Sequence, residues 1–370
     1  TFEEFFGSLN ANTVFIQGTS AMYFGAGTAR RWRIYEGGSV STADGTLIDD
    51  TDSSVGGSNT RHYQNIFTGT YISDSRDNAS LGELEYLLYT GDAWVNSTAM
   101  DGITGAQDAY IFSDYTITSD VDVNNLGINT GTTLTLNSST SLDINSDLTV
   151  NGNFDINSGG SLIINGTSTG TVTYNRNIPT TNWHLVSAPV EGQTIVDFYT
   201  DESPALGSGT GNAQNVAIAP YDNAQASGTD RWNYYTEGQV DGEDGDDTSD
   251  TFATGTGYAI KMQASGDVAF TGTLRTDDVG VSLSDGSGSG GNAFNFIGNP
   301  YTSYISVSEL IEEDNVATGN EALLSQQTIW LWDESANAGA GGYVPKNLAA
   351  DLEIAPGQGF FVLAGSAGTF

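Results

Sequence analysis

The 370-residue chain contains no cysteine. That excludes a disulfide framework and all thiol chemistry, so packing and strand pairing must hold the fold. Positive charge is scarce: Lys and Arg total 10 against 46 Asp and Glu, a formal net charge of −36. Such a surface repels phosphate backbones and anionic lipid, and no nucleic-acid partner is expected. No apolar run approaches the roughly 18 residues of a membrane-spanning helix, so no direct membrane insertion is expected either. Histidine occurs only at His62 and His184. No Gly-x-Ser-x-Gly elbow, zinc-ligand run or phosphate loop accompanies them, and the chain reads as a non-enzyme.

Glycine is abundant instead, at 47 residues, and aromatics make up 11%. The first favours turn-rich β structure and the second argues against disorder. Between Tyr115 and Tyr174 runs a ladder of apolar pairs, each with one residue between its members: Val121/Val123, Leu126/Ile128, Leu134/Leu136, Leu142/Ile144, Leu148/Val150, Phe154/Ile156, Leu162/Ile164, Val172/Tyr174. A period of two puts both members on one face of a strand. Asn151-Gly152, Ser158 to Gly160 and Asn165-Gly166 supply turns. Strands this short must stack on one another. A parallel solenoid of about three coils and an antiparallel set of hairpins both fit. The short steps, and the Thr, Asn and Asp residues recurring at the turns, favour the solenoid.

Residues 183–370 repeat one unit. Trp183 to Pro189 matches Phe294 to Pro300, Tyr221-Asp222 matches Trp332-Asp333, and Trp232 to Tyr234 matches Tyr343 to Pro345, all at an offset of 111. Gly255 to Ile260 matches Gly357 to Val362 at an offset of 102. The first copy therefore carries nine extra residues, in the acidic loop Gly238 to Asp250. Val307 to Glu313 is the best helix pattern, with Ser306 as its N-cap. The first copy continues through Val268–Leu274 and Val279–Leu283, whereas the second has 11 residues after Gly359, so a chain extending past Phe370 is expected.

The predicted fold is all-β: an N-terminal β-rich domain (1–108), a short parallel β-solenoid (109–178), and two tandem sandwich-like repeats (179–285 and 286–370). In the first part, Thr13 to Gln17, Ala29 to Tyr35, Ile66 to Ile72 and Leu84 to Tyr89 are strand candidates. Thr1 to Leu9 has helical spacing, and Gly37 to Thr60 reads as loop. Arg30, Arg31 and Arg33 around Trp32 form a basic cluster, suited to an anionic sugar or to pairing with nearby carboxylates.

Three kinds of chemistry deserve weighing. Asp241, Glu243, Asp244, Asp246 and Asp247 are dense hard-oxygen donors, a set that suits calcium, although their order is not that of an EF-hand. Solenoids can host carboxylate catalysis, and Asp143, Asp147 and Asp155 are available; but the ladder has no Lys, and Arg176 stands at its end. Trp232, Tyr234, Tyr235, Trp330, Trp332 and Tyr343 could stack on sugars, but their recurrence in both copies favours core packing.

The ladder from Asp114 to Arg176, together with Trp183 to Val190, Ile297 to Tyr301 and Ile354 to Val362, resembles segments of large surface and secreted proteins of Bacteroidetes. The resemblance covers about Asp108 to Phe370. It implies export by the type IX secretion system, with a signal peptide in front and a sorting domain behind. The implied location is extracellular or at the cell surface. The expected role is non-catalytic: structural or adhesive, with self-assembly into a fibre through an open β edge. The partners would be further copies or other surface proteins. A carbohydrate-binding or polysaccharide-degrading surface protein is the alternative.

Overall fold

The computed structural model describes residues 108–111, 113–207, 214–226, 228, 230–243, 247–286, 290–311, 320–339, 341–347 and 352–370, and the backbone of six earlier strands. Four of those strands form one sheet, in the order Phe15–Gln17, Arg31–Tyr35, His62–Asn65, Thr70–Ser73. The last two pair antiparallel, and Thr70–Ser73 covers the end of the expected strand at Ile66 to Ile72. The expected helix at Thr1 to Leu9 and loop at Gly37 to Thr60 lie outside the described residues.

The ladder is a parallel solenoid of three complete coils and the start of a fourth. Its first coil is Asp108–Ile111, Tyr115–Ile117 and Val121–Val123. The second is Leu126–Ile128, Thr133–Leu136 and Ser141–Ile144; the third is Leu148–Val150, Asn153–Ile156 and Ser161–Ile164. Ser168–Thr169 and Val172–Ile178 begin the fourth. Like positions stack in register: Ile117 on Leu136, Leu136 on Ile156, Ile156 on Tyr174. All four side chains are enclosed, as the period of two requires. Strand Tyr86–Tyr89 adds in parallel to Asp108–Ile111, extending one sheet towards the N-terminal part.

The polar residues at the turns bond from coil to coil. Asn125 Nδ2 donates to Asp108 Oδ1 (2.7 Å), Asn145 Nδ2 to Asp122 Oδ1 (2.6 Å), and the Thr167 N–H to Asp147 Oδ1 (2.7 Å). The Gly152 turn has no room for a side chain, since a Cβ there would lie 2.3 Å from both the Asn129 and Thr132 carbonyl oxygens.

The repeat is visible in strand register. In the first copy, Trp183–Val186 pairs antiparallel with Tyr258–Lys261, which also pairs with Ile218–Pro220. In the second, Phe294–Gly298 pairs with Gly359–Ala364, which also pairs with Leu324–Asp333. Partners correspond residue for residue: Leu185↔Ala259 becomes Phe296↔Phe361, and Ile218↔Ile260 becomes Ile329↔Val362. The bridge Tyr221↔Trp232 likewise becomes Trp332↔Tyr343. Each copy carries a short helix after its first strand, Ile195–Glu202 and Val307–Ile311. Ser306 Oγ accepts from the Glu309 N–H at 3.4 Å, as its N-cap reading requires.

The two repeat sheets pack on each other about a local two-fold axis. Leu185 and Ala259 of one meet Phe296 and Phe361 of the other, with Trp183, Tyr221, Trp232, Phe294, Trp330 and Trp332 around them. Backbone bridges are reciprocal: Val186↔Gln358 answers Thr256↔Ile297. So are hydrogen bonds, Ser187 N–H to Gly357 O (3.0 Å) and Gly298 N–H to Gly255 O (2.9 Å). This is the pattern of an isologous dimer interface, here within one chain. A Cβ on Gly257 would sit 2.3 Å from the Phe296 ring, so close packing of the copies requires glycine there.

The outer faces differ. The first copy shares one core with the solenoid, running from Ala109 through Tyr174 to Val186, Phe198, Ile260 and Phe270. Strand Gly266–Gly272 joins it to the solenoid by pairing antiparallel with Val172–Ile178 over seven residues. The second copy has its own core around Ile297, Ile329, Phe360 and Val362. Its strand Gly368–Thr369 pairs with Ser282–Leu283 and corresponds to the opening of Gly266–Gly272. Ser282–Leu283 therefore leads into the second copy rather than ending the first. The second copy also reaches the solenoid: the Leu162 N–H donates to Thr302 O (2.9 Å), and Thr302 Oγ1 to Leu162 O (3.2 Å).

Candidate functional site

The site is a cleft where the last ladder strand, the first strand of copy one and the second copy converge. Its volume is about 310 Å³. Arg176 and Asn177 come from Val172–Ile178, His184 from Trp183–Val186, Trp332 and Glu334 from the end of Leu324–Asp333 and just beyond, and Gln358 from the turn before Gly359–Ala364.

Arg176 is partly buried, and its Nε is enclosed without a partner. Its one hydrogen bond among the described residues runs from Nη1 to Pro356 O and is long, at 3.4 Å. Among the described residues no carboxylate lies within ion-pair distance of it, and the ion pairs are those of Arg275 with Glu191 and Asp277. Burial pushes the Arg176 guanidinium below the usual arginine range, while Tyr174 and Tyr304 act the other way. It remains a cation, because guanidinium does not deprotonate in proteins.

His184 is 9% exposed. Its Nε2 lies 3.1 Å from Thr180 Oγ1 and 3.2 Å from Thr180 O. Burial lowers its affinity for a proton, and the Thr180 carbonyl and Glu334 partly offset this. The imidazole is therefore neutral at pH 7. His184 also lines the cleft, with its Nε2 engaged by Thr180. The Trp332 indole is fixed by Nε1–H donating to Trp183 O at 2.8 Å. The Gln358 side chain is turned back, accepting from the Ala355 N–H at 3.1 Å.

The residues proposed for calcium lie elsewhere. The Gly242 N–H donates to Asp247 Oδ1 (2.9 Å) and the Glu243 N–H to Asp241 Oδ1 (3.1 Å), so these carboxylates close their own bend. Asp244 and Asp246 lie outside the described residues. Among the described residues, no group of three or more His, Asp or Glu side chains is arranged for a metal. The side chains of Arg30, Arg31, Trp32, Arg33 and His62 are also outside the described residues.

In the ladder, Asp143, Asp147 and Asp155 do not converge. Asp147 bonds both the N–H and the hydroxyl of Thr167, which holds its carboxyl below the usual range. Burial raises Asp155, and burial, then Asp122 and Asp120, raise Asp143. The aromatics are chiefly packing groups. Trp232 meets Phe296 and Phe361, Trp330 meets Phe294, and Trp332 meets Tyr343, all edge to face. Tyr343 is 47% exposed, yet burial, and after it the neighbouring Tyr221, pushes its pKa up to about 12.

Sequence reasoning saw Arg176 and His184 separately and did not join them. The cleft they line is completed by Trp332, Glu334 and Gln358 of the second copy, whose docking no spacing in the chain encodes. The one available signal was the isolation of Arg176 in a region almost devoid of positive charge.

Fold and site together define an all-β protein in which a short parallel solenoid is joined to an internally duplicated sheet module. The chain belongs to the family described as Domain of unknown function (DUF8693), which it matches over residues 103–369. That span takes in the solenoid and both copies, so they form the family unit together. Comparisons with curated proteins and with solved structures give no match.

Proposed function

We propose that this chain is a non-catalytic structural or adhesive protein, located outside the cell or on its surface and exported by the type IX route. The supporting observation is mechanical continuity. The solenoid passes into copy one through a shared sheet and core, and copy two is attached to both. A force along this unit meets strands bonded over several residues and a common core rather than a flexible linker. The acidic surface keeps such a protein soluble, and calcium at the acidic loop Asp241 to Asp247 would stiffen it.

The test uses beads coated with the full chain, passed over surfaces carrying the same chain, another surface protein or an extracellular polysaccharide. Retention on at least one surface, without release of reducing sugar, is expected. Release of reducing ends, or retention on none of them, overturns the proposal. The carbohydrate-binding alternative is favoured by one observation, the uncompensated cation of the cleft.

A further inference from the structure

We propose that the cleft at Arg176 binds the carboxylate of a sugar acid. The chain has 46 acidic residues, yet among the described residues this guanidinium has no carboxylate partner and only one long hydrogen bond. A partly desolvated cation left in this state weighs against folding. A carboxylate arriving from outside would supply the missing partner through charge-assisted bonds to the terminal nitrogens.

The repeat provides an internal control. Arg176 pairs with Val268, and the corresponding pair in the second copy is Val281 with Phe370. One copy therefore places an aliphatic residue where the other places a cation, so the unit itself does not require the charge. His184 corresponds to Asn295, whose amide is fully used: Nδ2 donates to Ser284 O and Ala293 O, and Oδ1 accepts from the Ser284 N–H, each at 2.9 Å. In copy one the corresponding residue, His184, lines the cleft instead.

The remaining wall selects the kind of carboxylate. His184 and Glu334 bring polar groups for hydroxyls to the wall, Trp332 adds apolar surface, and the Asn177 amide is held by donating to Asp267 Oδ1 at 2.8 Å. Glu334 also disfavours a second negative charge, so a singly charged ligand fits better than a phosphate dianion. The cavity lies at the lower end of the roughly 300–1,000 Å³ of small-ligand sites. A single hexuronic acid ring offers this combination of one carboxylate, several hydroxyls and an apolar ring face.

Calorimetric titration of the full chain at low salt tests the assignment, using glucuronate, glucose and acetate, then an oligosaccharide ending in glucuronate. Glucuronate is expected to bind at least about tenfold more tightly than glucose or acetate, because each lacks groups the site is built to bond. Equal affinity for the oligosaccharide identifies a glycan end as the source of the carboxylate; affinity for the free sugar alone identifies a monosaccharide. Arg176→Val should abolish glucuronate binding while the far-ultraviolet spectrum stays native. Arg176→Lys keeps the charge but not the planar fork, and should bind more weakly than the parent. No heat with glucuronate, equal binding of glucose, or unchanged binding in a folded Arg176→Val variant overturns the proposal.

Discussion

Copy one and copy two pair their strands residue for residue, yet each is closed by a different part of the chain. The strand Gly266–Gly272 of copy one runs seven residues along the end of the solenoid. Its counterpart in copy two, Gly368–Thr369, pairs with the lead-in Ser282–Leu283. One unit has thus become the cap of a ladder, while the other keeps a core of its own. Register is preserved because it aligns the apolar residues on both faces of each sheet, and a one-residue slip would exchange those faces. What lies at the margins is free to differ. Those margins carry Arg176 against Val281 and His184 against Asn295.

The strongest way to break the pairing of the copies is at Phe296. Its ring stacks on Phe361 at a centroid distance of 4.6 Å and fills the space left by Gly257 and Gly359. Phe296→Ala should cost about 3–5 kcal/mol, from lost burial plus a cavity at the two-fold axis. Urea denaturation measures it. A loss below about 1 kcal/mol would mean that the interface relaxes to fill the hole.

A matched pair of substitutions sharpens the comparison. Ile218 and Ile329 occupy equivalent positions and are both fully buried. Ile218→Ala and Ile329→Ala should each cost about 2–5 kcal/mol. The difference lies in where the loss is felt. Ile218 belongs to the core shared with the ladder, so its loss should weaken amide protection in strands such as Asn153–Ile156. Ile329 belongs to the separate core, and protection there should hold. Equal loss of ladder protection in both variants would make the two cores one cooperative unit.

Exchanging the residues that differ gives a smaller effect of opposite sign. Arg176→Val gives copy one the residue type of copy two and removes a poorly bonded cation. Stability should rise by about 0.5–2 kcal/mol, as is common when a functional residue is removed from a strained site. A clear loss of stability would make Arg176 a structural residue.

Much of this fold was legible in the sequence, for identifiable reasons. The ladder was readable because alternation is a local signal, and every pair from Val121/Val123 onward lies on a solenoid strand. The duplication was readable because Gly-x-Gly and the aromatic positions are sequence-specific. The facing of the copies was not, since Leu185 meeting Phe296 is a contact between sheets that leaves no periodic trace. The role of residues 279–283 was misplaced for a related reason. Whether a strand ends one unit or opens the next depends on its partner, and Phe370 is 87 residues beyond Leu283. The cleft combined both difficulties.

The smallest effect concerns the ladder to which copy one alone is joined by a sheet. Asp143 stacks in register on Asp122 of the coil before, and its Oδ1 is enclosed without a partner. Its folded-state pKa is raised, first by burial and then by Asp122 and Asp120. A raised folded value means that the favourable contribution is complete below the unfolded value and is lost as pH rises through the folded one. At neutral pH the ionised Asp143 therefore opposes folding. Asp143→Asn should stabilise at pH 7, by no more than about 1 kcal/mol once solvent screening is allowed for. Asp147 has the opposite sign, because Thr167 holds its carboxylate in the charged form. Its contribution is present above the unfolded value and is lost as pH falls through the folded one. Asp147→Asn should therefore lower the urea midpoint at pH 7. Below the ordinary aspartate value of about 3.8, both differences should fade, since both parent carboxylates then approach the neutral form. Midpoints that move in the same direction at pH 7 would mean that the coil-to-coil bonds, and not burial, govern both sites.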